Sequence, residues 1–132
     1  MNRLDFQNNV VHSCSNHISG LLGEELLRFF LKEKLIQKNE ENLFITDKGW
    51  EELEIIGINV NKLREAKNKN LNICIESSHG ILYEHIGSVL GALLMEKMIE
   101  LEWLRKRDEK NFLLTDKGLA GLESLGVVFK RY

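Results

Sequence analysis

Apolar residues recur at three- and four-residue steps at Ile18, Leu22, Leu26, Phe29, Phe30 and Leu35. That spacing draws one stripe down a helix, which must be buried against something else. The stripe returns at Ile86, Leu90, Leu94, Met98 and Ile99. The two helices are expected to end near Leu35-Ile36 and Trp103-Leu104, with the second beginning near Ile81. After each, two short apolar stretches flank a polar tip, LIQK-NEEN-LFIT and WLRK-RDEKN-FLLT. Apolar arms around a charged, Asn-containing centre predict a β-hairpin. Thr46 or Asp47, and Thr115 or Asp116, then stand where a side-chain oxygen can cap a second, shorter helix. That helix carries Trp50, Leu53 and Ile56 in the first case and Leu119, Leu122 and Leu125 in the second. Gly57 and Gly126 follow, where a left-handed stop is expected.

The two series are copies of one another. His17, Ile18, Leu22, Gly23 and Leu26 align with His85, Ile86, Leu90, Gly91 and Leu94. After a one-residue slip, NLFITDKG from Asn42 aligns with NFLLTDKG from Asn111, and TDKG is identical in both. Two copies are too few for a solenoid, so a packed pair is expected. Between them, Leu63 and Ala66 suggest a turn or two of helix, and residues 70–75 a short strand. Helix, hairpin, helix is the order of the latter half of a winged helix, with the hairpin as the wing. The expected fold is therefore α+β: a tandem repeat of two winged-helix-like units packed pseudo-symmetrically, residues 1–69 and 70–132. A single unit of this size would struggle to bury its own stripe.

Composition narrows the picture. The 132 residues contain no Pro, so helices must stop at Gly or Asn. The net charge is −2, with 8 basic against 11 acidic residues in 1–66 and 10 against 9 in 67–132. That balance disfavours a broad electrostatic grip on nucleic acid but allows a local basic face in the second half. No apolar run has membrane-spanning length, the first residues lack the apolar core of a signal peptide, and two Cys make no disulfide framework. A cytoplasmic protein without membrane contact is the expectation.

Three features together resemble a known family: Cys14 shortly before the His17-Ile18-Ser19-Gly20-Leu21-Leu22-Gly23 helix, the FITDKG and LLTDKG turns, and Cys74 before HIGSVLGALL. Over roughly residues 10–128 the chain resembles the C-terminal region of a subgroup of bacterial ArsR-like winged-helix transcription regulators. The resemblance implies a regulatory setting and a dimerising or sensing role. The separate N-terminal winged helix that holds DNA in those regulators is expected to be missing here, so the resemblance carries no DNA-reading residue onto this chain.

Candidate chemistry is limited. The helix in the recognition position offers Glu96, Lys97, Glu100 and Glu102 in one copy and Glu24, Glu25, Arg28, Lys32 and Glu33 in the other. Carboxylates there would repel phosphates. Cations gather instead on the second wing, at Arg105, Lys106, Arg107 and Lys110, and in the connecting segment, at Lys62, Arg64, Lys67 and Lys69. These are the candidates for contact with a nucleic-acid backbone, against the alternative of a solvated surface. Cys14 stands near His12 and His17, and Cys74 near His79 and His85. Thiol and imidazole suit zinc or a soft metal. One Cys with nearby His per copy does not define a site, however, and a small buried Cys or a packed His accounts for them equally. No metal or cofactor is assigned, and Cys14, His17, Cys74 and His85 stand only as candidates that would have to converge.

Phe29, Phe30, Trp50, Met95, Met98 and Trp103 have core spacing, while Phe129 and Tyr132 fall outside the repeat. No phosphate loop, HExxH or GxSxG appears, which argues against an enzyme. Three functions remain: a regulator binding nucleic acid or a nucleic-acid-associated complex, a protein–protein module or inhibitor (phage-encoded ones included) on the same scaffold, and a Cys/His effector-sensing domain. A homodimer would suit any of them.

Overall fold

A computed structural model describes residues 10–14, 16–39, 42–66, 71–78 and 80–127. Lys67, Lys69, His79, Phe129 and Tyr132 lie outside the described residues. The fold is α+β. Its elements are β1 (Val10–Cys14), β2 (His17–Ile18), α1 (Gly20–Lys32), β3 (Ile36–Asn39), β4 (Asn42–Ile45), α2 (Asp47–Ile55) and α3 (Val60–Ala66). Then come β5 (Ile73–Ser78), β6 (Ile81–Ile86), α4 (Ser88–Glu100), β7 (Leu104–Lys106), β8 (Asn111–Leu114) and α5 (Asp116–Leu125). Hairpin, helix, hairpin, helix thus occurs in the same order on both sides of α3. Among the described residues no helix is long and apolar enough to cross a membrane.

Two expectations are corrected. The second long helix does not begin near Ile81, because Ile81–Ile86 is the return strand of a hairpin and α4 starts at Ser88. In ILYEHI the residues Tyr83 and His85 are buried while Leu82 and Glu84 are exposed, the period-two alternation of a strand. Ile18 likewise belongs to β2, and α1 starts at Gly20. The helices also finish earlier, at Lys32 and Glu100. Lys34 and Glu102 then take positive φ of 60° and 65°, turning the chain into the next hairpin.

The TDKG turn has a local cause. Thr46 and Thr115 are the N-caps of α2 and α5, and each Oγ1 accepts from the backbone N–H of Gly49 or Gly118 at 2.9 Å. The same hydroxyls donate backwards to the Lys34 carbonyl at 2.6 Å and the Glu102 carbonyl at 2.7 Å. A Cβ on Gly49 would stand 2.0 Å from the Leu35 carbonyl oxygen, and one on Gly118 2.4 Å from that of Trp103. Each motif therefore latches a short helix onto the preceding turn, with Lys48 near Glu33 and Lys117 near Glu102 across the seam. Gly57 and Gly126 follow their helices at φ of 91° and 102°, the left-handed stop expected of them.

Strands run in the order β2-β1-β8-β7 in one antiparallel sheet, while β3-β4 and β5-β6 form two further hairpins. Val10, Val11 and His12 pair with Leu113, Phe112 and Asn111, so the first strand closes on the second wing. Two cores result. One joins Leu27, Phe30, Ile36, Leu53 and Leu63 to Ile86, Leu90 and Leu94, and the other joins Val11, Leu22 and Leu26 to Met95, Met98, Phe112 and Leu122. Helices α1 and α4 supply residues to both, and α1 also packs on β6 while α4 packs on β2.

Candidate functional site

Each long helix is entered through a hairpin whose two strands place a Cys and a His directly opposite one another. Cys14 pairs with His17 across β1–β2, and Cys74 pairs with His85 across β5–β6. Directly opposed residues of an antiparallel pair share a face, so thiol and imidazole point the same way in each hairpin. The strands run on to different lengths beyond these pairs, so that two residues separate Cys14 from His17 and ten separate Cys74 from His85, which hides the equivalence in the sequence. Because α1 packs on β6 and α4 on β2, the two Cys–His pairs are brought face to face.

The ligand atoms of Cys14, His17, Cys74 and His85 all lie within 4.8 Å of one another. The two Sγ atoms are 3.9 Å apart, and both thiols are free. The two imidazole centroids are 5.8 Å apart. His85 is fully buried and neither ring nitrogen has a hydrogen-bond partner among the described residues; His17 Nδ1 is also buried without one there. Leaving a buried polar group unmatched costs about 1–3 kcal/mol, so such groups call for a partner.

Glycines make the approach possible. A Cβ on Gly23 would meet the His85 Cβ at 2.9 Å, and one on Gly91 would meet the His17 ring at 3.2 Å. The Leu-Gly pair common to both copies, Leu22-Gly23 and Leu90-Gly91, thus clears a place on each helix for the imidazole of the opposite half. Gly87 adds room in the same place, where a Cβ would stand 3.1 Å from the Cys74 Cβ.

Protonation in the cluster follows its burial. Desolvation, then the Cys74 thiol and the charge of Glu76, push the Cys14 thiol up to about 11, against the opposing pull of Lys110. Desolvation pushes both His17 and His85 below the usual 6.5. At neutral pH these shifts favour neutral imidazoles beside a protonated Cys14 thiol. Neither His caps a helix: the N-cap residues are Ser19 and Gly87. His12, the other early candidate, pairs its ring with the Asn111 side chain instead.

The cations fall elsewhere. Arg105, Lys106, Arg107 and Lys110 are exposed on the β7–β8 hairpin. Its tip is fixed by Asp108, whose carboxylate accepts from Lys110 N at 3.1 Å and Asn111 N at 3.0 Å; these bonds hold its pKa below the ordinary carboxylate range. Lys62 and Arg64 sit on α3, with the Arg64 guanidinium 4.8 Å over the Trp50 ring.

At the other end of α1 and α4 lies a half-open cavity of about 430 Å³, lined by Phe29, Phe30, Leu53, Met98, Trp103 and Leu122 among others. Of the aromatic and Met positions with core spacing, Phe29, Phe30, Met98 and Trp103 thus also border open space.

No protein-family model matches the chain, and no solved structure matches it significantly. Among curated proteins it is similar to an uncharacterized HTH-type transcriptional regulator, YdfF of Bacillus subtilis (strain 168), at 24% identity over 112 residues. The match takes in 84% of this chain and 49% of the relative, so the chain spans about half the relative's length. The likeness is to a transcription regulator, at a distance that leaves the family itself open.

Proposed function

We propose that this chain is the effector-responsive half of a transcription regulator, built from two winged-helix-like units, with Cys14, His17, Cys74 and His85 as its sensing element. The observation that carries this is the meeting of two cross-strand Cys–His pairs, one from each half, at a partly buried junction. Whatever binds or modifies that cluster acts on both halves at once, because α1 and α4 each feed both cores. The distant regulator relative supplies the setting.

The helices in the recognition position support a sensing role over a reading one. Leu21, Leu22, Leu26, Leu27 and Phe30 of α1, and Leu90, Leu93, Leu94, Met95 and Met98 of α4, are buried. The fully exposed positions of α4 after its first turn are Glu96, Ile99 and Glu100, poor groups for base edges or phosphates. Comparing transcripts of cells with and without the gene tests the reading. Deletion should alter a defined set of transcripts, and Cys14→Ser with Cys74→Ser should hold that set in one state while the protein stays folded. Unchanged transcripts on deletion, or normal regulation by the double variant, would overturn it.

A second reading, contact with a nucleic-acid backbone, is favoured by Arg105, Lys106, Arg107 and Lys110 sharing one exposed hairpin with an ordered tip. It requires salt-dependent affinity for duplex DNA or structured RNA that is lost when Arg105, Lys106 and Arg107 are changed to Glu. Unaltered affinity in that variant removes it.

A further inference from the structure

We infer that Cys14, His17, Cys74 and His85 together bind one zinc-class divalent cation, in a closed four-coordinate site with one thiolate and one imidazole from each half of the molecule. This deepens the reading of the cluster as a sensing element. It rests on that reading for its regulatory meaning, though not for its coordination chemistry.

Four observations point the same way. First, the donor set is two sulfurs and two ring nitrogens, the soft and borderline ligands that select zinc over magnesium or calcium, which prefer oxygen. Second, the spacing fits. A tetrahedral zinc with Zn–S of about 2.3 Å holds its sulfurs roughly 3.8 Å apart, and the two Sγ atoms stand 3.9 Å apart with all four donors inside 4.8 Å.

Third, His85 is fully buried with both nitrogens unpartnered, and His17 Nδ1 is buried and unpartnered as well. A cation coordinated by one nitrogen of each ring gives each imidazole a partner and leaves one His85 nitrogen unmatched in place of two. A Cys14–Cys74 disulfide would satisfy the thiols and leave those nitrogens orphaned. Fourth, the surroundings accommodate the rings from both sides, through Gly23 against His85 and Gly91 against His17. Coordination displaces the two thiol protons to solvent, and the two thiolates then neutralise the divalent cation, so the filled site carries no net charge into a partly buried junction.

With four protein ligands no position remains open for a substrate, which is the pattern of structural and regulatory sites and not of catalytic ones. The bound ion would join β1–β2 to β5–β6, elements whose mutual placement otherwise depends on side-chain packing. Filling or emptying the site would therefore tighten or loosen the junction on which α1 and α4 rest.

The test uses the full chain under a non-coordinating reductant, titrated with Co(II) and then Zn(II). One equivalent of Co(II) should produce the intense visible bands of a tetrahedral site together with thiolate-to-metal charge transfer, and one equivalent of Zn(II) should abolish both. Zinc should also raise the melting temperature, since it binds the folded chain in preference to the unfolded one. Cys14→Ser and Cys74→Ser change one atom each and should each lose part of the charge-transfer band; the double variant should lose it entirely, along with the zinc-induced melting shift. His17→Gln, away from the fully buried His85, should shift the visible bands. A wild-type protein that binds no Co(II) or binds it octahedrally, or a double variant with the wild-type spectrum, overturns the proposal. Zinc binding combined with normal transcripts in the Cys variants would uphold the metal and refute sensing. Altered transcripts without metal binding would do the reverse.

Discussion

His85 has no exposed surface, yet its imidazole finds no hydrogen-bond partner among the described residues. It is held there by the close approach of Gly23, whose missing side chain leaves the His85 Cβ room against α1. Burial first, with the neighbouring His17 ring acting in the same direction and Glu76 against it, keeps the ring neutral below the usual 6.5. In the unfolded chain the same ring takes a proton as the pH falls through 6.5; in the folded, metal-free chain it does not. Protons therefore favour the unfolded state in that window, and the stability present above pH 6.5 is lost as the pH drops below it. Urea midpoints of the metal-free protein should fall between pH 7 and pH 5. His85→Gln, which removes the titrating group, should flatten that part of the profile. A wild-type midpoint that is constant or rises on acidification would show that the ring is protonated in the fold.

At the scale of elements, the TDKG turns show how a motif can be read correctly and still be structural. Their Thr, Gly and Lys each have a local task, and the sequence discloses it because capping is settled within a few residues. Thr46 and Thr115 each accept from a helix N–H and donate to a carbonyl of the preceding turn. Replacing a capping Thr by Ala costs about 1–2 kcal/mol. Thr46→Ala and Thr115→Ala should each cost that much in denaturant titrations, and because they latch different helices the two losses should add. A double variant no less stable than either single one would mean that the latches are not independent.

The central turns of the long helices, the β3–β4 and β7–β8 hairpins and the glycine stops were equally legible, being matters of periodicity and φ. The entry hairpins were not. Cys-Ser-Asn-His is too short to display a strand pattern, and ILYEHI reads as helix or strand until its neighbours are known. The cluster was hidden for a related reason: Cys14 and Cys74 are 60 residues apart and meet only through the packing of α1 on β6 and α4 on β2. What could have revealed it is the order Cys, then His, then Leu-Gly in both copies, once the unequal Cys-to-His spacing is set aside. The charges of the second wing were found easily, but charge alone does not say what they touch.

For the molecule as a whole, the consequence of two shared helices is cooperativity. Trp50 packs against the core formed by Leu53, Leu63 and Leu90, and Trp103 against the core formed by Leu22, Met98 and Leu122. If each half stood on its own, the two indoles would report separate transitions. Instead α1 gives Leu27 and Phe30 to the first core and Leu22 and Leu26 to the second, while α4 gives Leu90 and Leu94 to the first and Met95 and Met98 to the second. Melting either core uncovers a face of both helices and withdraws support from the other. Single-tryptophan variants, Trp50→Phe and Trp103→Phe, separate the signals. Within each variant, the denaturation curve from the remaining indole should coincide with that from far-ultraviolet circular dichroism, as a two-state transition demands. Leu90→Ala, at a fully buried position of the first core, should cost about 2–5 kcal/mol, and in the Trp50→Phe background it should move the Trp103 transition by the full amount. A Trp103 curve that ignores Leu90→Ala would mean that the cores melt separately, and a cluster at their junction could then not act on both halves at once.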